Sequence, residues 1–267
     1  MKFKLCDAKS LDIVKTFECG QCFRWNANDK GVYTGVVGRY LAEVETVDNE
    51  VYITSDAPAE MWADYFDLAT DYAAVSADFT GEYLHECIDY GMGIRILRQD
   101  SWEALCSFII SQCNNITRIK GIVERLCEQF GDKCEANGMG YYTFPSAERL
   151  AALRPSDLSG IRAGYRAEYI IAAARAVTTG ELDLDALKTC DYREAIKTLR
   201  QIRGVGEKVA NCVVLFGLYH MEAFPIDVWM KRALKEHFPA DFDPTSLGAY
   251  AGLAQQYIFY YSRSGGK

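Results

Sequence analysis

Apolar and polar positions change rhythm once along this chain. Between residues 20 and 55 they alternate in short runs, QCFRW, VYTGVV, RYLAEVETV and EVYITS, separated by Asn, Asp and Gly. That is the pattern of an antiparallel meander. Farther on, apolar residues recur every three or four positions, in WEALCSFIISQC, IKGIVERLCEQF, RAEYIIAAARAV, YREAIKTLR, KVANCVVLFGL and VWMKRALKEHF. That is the spacing of helices with one buried face. The pattern predicts an α+β protein: a small N-terminal antiparallel β-sheet domain over residues 1–90, then a larger all-helical domain over 91–267. The stretch 56–90, with amphipathic pieces of its own, completes the first domain or bridges the two.

A length of 267 residues allows one large domain or two ordinary ones, and 49% hydrophobic with 25% charged residues is the balance of a soluble globular chain. No run is apolar enough for a membrane span or a signal peptide, which places the protein in the cytosol, on the nucleoid in a bacterial cell. In that compartment the ten cysteines are expected reduced and mostly buried. Only the tail from Ser264 to Lys267 reads as loose.

The net charge of −8 argues against a polyanion partner until its distribution is read. Residues 41–90 hold 13 Asp and Glu and no Lys or Arg, which leaves 29 basic against 24 acidic residues elsewhere. Screening confines exposed charges to about 8–10 Å, so local sign outweighs the total. The helical part keeps the possibility of binding phosphates.

Residues 192–219 read as helix, tight turn (RGVG) and helix, a helix-hairpin-helix motif. Gly204 and Gly206 let the backbone turn sharply, and the free amides opening the second helix, up to Val209, suit a phosphate. Arg193, Lys197, Arg200, Arg203 and Lys208 surround them. An ordinary interhelical turn explains the same glycines. Lys208 stands in the first helical turn beside an apolar face, where dipole and desolvation both favour the neutral, nucleophilic amine; a solvated lysine is the plain alternative. Asp227, in FPIDVWMKRALKEHF, stands where the next helix begins. A helix N-cap accounts for it, but a carboxylate held ionised by amides also suits a developing sugar cation and a moving proton.

Taken together these residues carry a resemblance. The chain is similar to the helix-hairpin-helix/Gly-Pro-Asp superfamily of DNA glycosylases, and within it to the 8-oxoguanine DNA glycosylase/AP lyases, through GQCFRW, LRQD, SFIISQCNNITRI, VERLCEQFG, FPS, GYRAEY, GVGEKVANC, PIDV and YAGLAQQYIF. The resemblance implies a bifunctional enzyme that flips 8-oxoguanine out of double-stranded DNA, attacks C1′ with Lys208, and nicks the strand by β-elimination. It implies that Asp227 stabilises the sugar cation. Phe259 and Cys212 would sandwich the purine, Gln255 would bond its Watson–Crick edge, Pro225 would line the pocket, and the Gly20 carbonyl would accept the N7–H that guanine lacks. Taken singly, Cys212 reads as a core thiol, Phe259 as a core aromatic and Gly20 as a turn glycine.

Asn114, Asn115, Arg118, Tyr165 and Arg166 would fill the gap in the duplex and read the cytosine opposite. The sequence departs from the family at Cys113, where asparagine is expected, and at Trp229, where histidine is. The first departure predicts a looser preference for cytosine. A monomer needing no cofactor or metal is expected: no cysteine follows Cys212 to hold a cluster, and the Cys19/Cys22 pair lacks partner ligands. Two alternatives remain, a monofunctional alkylpurine glycosylase of the same fold and a non-catalytic DNA-binding module.

Overall fold

The computed structural model describes residues 1–265; of the tail expected to be loose, Ser264 and Gly265 close the last helix, and Gly266 and Lys267 lie outside the described residues. Five strands make one antiparallel sheet: β1 (Lys2–Asp7), β2 (Asn26–Ala27), β3 (Tyr33–Val37), β4 (Tyr40–Val47) and β5 (Glu50–Ser55), in the order β1-β5-β4-β3-β2. Alternation sets the register. Val44 lies opposite Ile53, and both point to a fully buried face. There they meet Phe17, Trp25, Trp62 and Phe66, with the Phe17 and Trp25 rings stacked at 4.3 Å.

One expectation about strands fails, and two strand elements lie where the sequence reading placed none. QCFRW is irregular chain rather than a strand. Its aromatic residues serve two cores, Phe23 packing with the helical cluster and Trp25 with the sheet cluster, so its alternation is between domains and not between two faces of a sheet. The opening residues do form a strand, β1, whose Lys2 and Lys4 face out and pair with Glu45 and Glu50. A second hairpin, β6 (Lys133–Ala136) and β7 (Met139–Tyr142), was not foreseen. Its turn is Asn137-Gly138, both with positive φ (54° and 74°), the geometry that Asn-Gly supplies to two-residue hairpins.

The helices fall where the three- to four-residue spacing puts them, among them Ser101–Ser111, Ile116–Phe130, Arg166–Thr178, Tyr192–Leu199, Glu207–Phe216, Val228–His237 and Ala251–Ser264. Ser101–Ser111 is buried along most of its length and packs on Ile116–Phe130, Arg166–Thr178 and Glu207–Phe216. Helix Glu82–Gly91, from the acidic stretch, lies against Ala251–Ser264 and gives Leu84, Cys87 and Ile88 to the helical core. The sheet and helical parts are also tied by Asp67, whose carboxylate accepts from Arg98 at 3.0 Å and from the Tyr219 hydroxyl. All ten cysteines are free thiols, six of them buried. No helix among the described residues is long and apolar enough to cross a membrane.

Candidate active site and DNA-facing surface

One small cavity gathers residues remote in sequence. Cys19, Gly20, Phe108, Lys208, Cys212, Phe216, Pro225, Asp227, Gln255, Gln256 and Phe259 line it, so Lys208 and Asp227 share it with each residue expected to hold the purine. Helix Glu207–Phe216 explains part of this, since Lys208 and Cys212 stand one turn apart on one face; Gln255 and Phe259 do the same on Ala251–Ser264. Phe108 and Phe216, with rings 5.5 Å apart, are further lining residues that the sequence did not single out.

Charge and burial give the cavity its character. Lys208 is half-buried, with its amine 5.7 Å from the centre of the Phe108 ring. Burial pushes the Cys212 thiol up, Lys208 pulls it back down and Asp227 raises it, so both charged groups act on one sulfur. Asp227 caps helix Val228–His237, accepting from the amides of Trp229 and Met230 at 2.9 Å each. Both bonds end on Oδ1, which leaves Oδ2 uncommitted. The plain reading as a cap and the reading as a functional carboxylate are therefore compatible. Gln255 is only 4% exposed, and its Oε1 meets no donor in the protein. A buried acceptor without a partner costs about 1–3 kcal/mol, so it marks a place where a ligand's N–H fits.

The cavity measures about 40 Å³. That is room for about three waters, well short of a purine. A base entering it needs the walls to move apart.

The residues expected to touch DNA converge beside this cavity, by a link that sequence reasoning missed. Gln112 ends helix Ser101–Ser111. Its side-chain amide donates to the Gly204 carbonyl at 2.9 Å, and its own carbonyl accepts from Arg166 Nε at 2.9 Å. The 112–115 loop, the Tyr165–Arg166 turn and the hairpin turn are thereby held together.

Arg166 differs from expectation. It is 3% exposed, and its donors go to the carbonyls of Gln112, Ala163 and Cys113 rather than outward to a base. In this state it braces the loop. Arg118 is exposed, and Tyr165, half exposed, lies under the Arg166 guanidinium at 4.5 Å. Asn115 caps helix Ile116–Phe130 by accepting from the Arg118 amide at 2.9 Å, while Asn114 donates to the Ile110 carbonyl at 3.1 Å.

In the hairpin only one glycine is conformationally required. Gly204 has φ +88°, and a Cβ there would fall 2.1 Å from the Tyr169 ring, whereas a Cβ on Gly206 would meet open space. Gly206 caps helix Glu207–Phe216 without a side chain, so no side-chain acceptor takes the first amides of the helix. Val209 is 3% exposed as a whole residue and packs in the helical core. Among the described residues no group of three or more His, Cys, Asp or Glu is placed to hold a metal.

Two family models cover nearly the whole chain: the 8-oxoguanine DNA glycosylase N-terminal domain over residues 4–105, and the HhH-GPD superfamily of base excision DNA repair proteins over 106–252. The chain belongs to the HhH-GPD superfamily. Within it the chain is similar to an 8-oxoguanine glycosylase/lyase of Clostridium acetobutylicum solved with double-stranded DNA containing cytosine opposite 8-oxoguanine. That structure is 34% identical, with TM-score 0.90 over 100% of this chain and 99% of the other. An N-glycosylase/DNA lyase OGG1 of Arabidopsis thaliana is 28% identical over 93% of this chain and 76% of its own length. A DNA-3-methyladenine glycosylase of Bacillus subtilis is 33% identical over 71% of this chain and 68% of its own. As an HhH-GPD protein the chain keeps the superfamily's helical fold and adds to it the N-terminal sheet of the 8-oxoguanine branch.

Proposed function

We propose that this protein removes 8-oxoguanine from double-stranded DNA and then cuts the strand, as a bifunctional base excision repair enzyme acting as a monomer in the cytosol. The observation that carries the reading is the single cavity shared by Lys208, Asp227, Gly20, Phe259 and the unpartnered Gln255 Oε1.

The hairpin amides and the neighbouring cationic side chains receive backbone phosphates, while Tyr165, Asn114 and Arg118 enter the space beside the orphaned cytosine. The flipped purine slides between Phe259 and Cys212. Its Watson–Crick edge donates to Gln255 Oε1, and its N7–H donates to the Gly20 carbonyl. Guanine offers an N7 lone pair there, which the carbonyl repels. Discrimination thus falls on one proton.

Lys208, having given up its proton, attacks C1′. The C1′–N9 bond breaks, its electrons leave with the base, and the base takes up a proton. The negative charge of Asp227 opposes the positive charge developing on the sugar. Ring opening to the C4′ hydroxyl gives a Schiff base. Loss of a C2′ proton then drives out the 3′ phosphate, breaking the C3′–O bond, and water later releases Lys208.

Borohydride trapping tests this reading. Wild type mixed with 8-oxoguanine duplex and borohydride is expected to form a covalent adduct, and Lys208→Gln to bind the duplex without forming one. An adduct with the variant, or none with wild type, rejects the assignment. Similarity to the Bacillus subtilis DNA-3-methyladenine glycosylase supports a second reading, release of alkylated purines without strand cutting. That reading leaves Lys208 in the cavity with no role. It predicts release of 3-methyladenine with the strand intact.

A further inference from the structure

Arg263 lies just outside the cavity lining, and its contacts go to two of the cavity's walls, the 18–20 turn and Phe259. One guanidinium nitrogen, Nη2, donates to the carbonyl of Glu18. The guanidinium carbon stands 5.5 Å from the centre of the Phe259 ring, one helical turn back on Ala251–Ser264. The other nitrogen, Nη1, is shut off from solvent and meets no acceptor in the protein. A Cβ on Gly20 would stand 3.6 Å from Nη1 and 3.6 Å from Phe259 Cε1, so Arg263, Gly20 and Phe259 meet at one corner.

The chain before Gly20 is pinned carbonyl by carbonyl. Arg263 takes the Glu18 carbonyl, and Gln256, on the same helix, donates to the Cys19 carbonyl at 2.8 Å. Gly20 follows with φ +83°, a conformation a side chain would strain. The two grips fix the peptide planes that lead into Gly20. Lys120, bonded to the Glu18 carboxylate at 3.0 Å, steadies the same residue from the other side.

We propose that Arg263 is a positioning residue for lesion recognition. It anchors the turn that carries Gly20 to helix Ala251–Ser264, so that the turn keeps its place on the helix when the cavity opens around a base. The proposal rests on reading this cavity as the purine pocket. It assigns Arg263 no contact with the reacting atoms.

The test compares two rates of one enzyme. Release of 8-oxoguanine needs the pocket walls, whereas cleavage at a preformed abasic site has no base to place. Single-turnover rates for both are measured with wild type, Arg263→Met and Arg263→Lys. The ratio of base release to abasic cleavage is expected to fall at least about tenfold in Arg263→Met, within the ~100-fold that an ångström of misplacement can cost. Arg263→Lys keeps the charge and loses the fork, and its ratio is expected to fall at least about threefold. If the methionine variant does not fold, the lysine variant decides alone. Two rates that drop together, or a ratio that stays at the wild-type value, overturn the proposal. A wild type that cuts abasic sites and releases no 8-oxoguanine overturns the reading of the cavity, and the proposal with it.

Discussion

The side-chain amide of Gln112 donates to the carbonyl of Gly204 at 2.9 Å, joining the end of one core helix to the turn of the hairpin. Because the Gln112 carbonyl also carries Arg166, one residue ties together the three segments proposed to meet DNA. Gln112→Leu keeps the carbonyl and removes the amide. A lost hydrogen bond is worth about 0.5–1.5 kcal/mol. Duplex affinity measured by fluorescence anisotropy is therefore expected to weaken about two- to tenfold, with the single-turnover rate at saturating enzyme little changed.

Asp227 serves as both helix cap and charge, and two substitutions separate the roles. Asparagine caps as well as aspartate does, while alanine loses about 1 kcal/mol of capping. Asp227→Asn is expected to melt with wild type and to excise at least about 100-fold more slowly, the scale of losing one aligned electrostatic partner in a closed site. Asp227→Ala is expected to lose the same activity and to melt lower as well. An asparagine variant excising at the wild-type rate would leave the carboxylate as a cap alone.

Gln255 keeps an unpartnered oxygen in the interior. Replacing it by leucine removes a buried group that nothing satisfies, so the free protein is expected to be as stable as wild type or more so in urea titration. Excision of 8-oxoguanine is expected to drop at least about tenfold, the cost of one unmade hydrogen bond to a base edge. Stability and activity then move in opposite directions, as they do where a site is built for a ligand.

Glu103 lies beside Arg24, 3.5 Å from its Nη1, under the junction of the two domains. Burial raises its pKa to about 7, against the opposing pull of Arg24. The folded state thus holds a proton that the unfolded state releases near the ordinary carboxylate value. The stabilising contribution is complete below that value and is lost as pH rises through about 7. Relative to Glu103→Gln, wild type is expected to lose stability between pH 4.5 and 7, with a slope of at most about 1.4 kcal/mol per pH unit, and to run parallel above. Parallel curves across the whole range would contradict this.

Much of the helical domain was legible because each helix buries one stripe, and spacing records that directly. The proposed catalytic pair could be picked out for a local reason: a glycine turn before Lys208 and a cap position at Asp227 are short-range chemistry. Three features were not. β1 alternates Lys2 and Lys4 with Phe3 and Leu5, but its basic residues drew attention to charge instead of period. QCFRW looked like a strand because it feeds two cores in turn. Arg166 was expected to reach outward, since nothing local announces that three carbonyls from a distant loop and its own turn will receive it. Asn137-Gly138 is a local hairpin signal, set between strands too short and too polar to show a clear alternation.

The cavity proposed to take the purine draws its walls from residues far apart in the sequence: the 18–20 turn on one side and helix Ala251–Ser264 on the other, with the lysine on a helix between them in sequence. During synthesis on a ribosome, Lys208 and Asp227 emerge well before the segment that supplies Gln255 and Phe259. On the proposed reading, a growing chain therefore holds its nucleophile and the Gly20 carbonyl before the residues that would clasp the base, and the pocket is complete only once helix Ala251–Ser264 has been made.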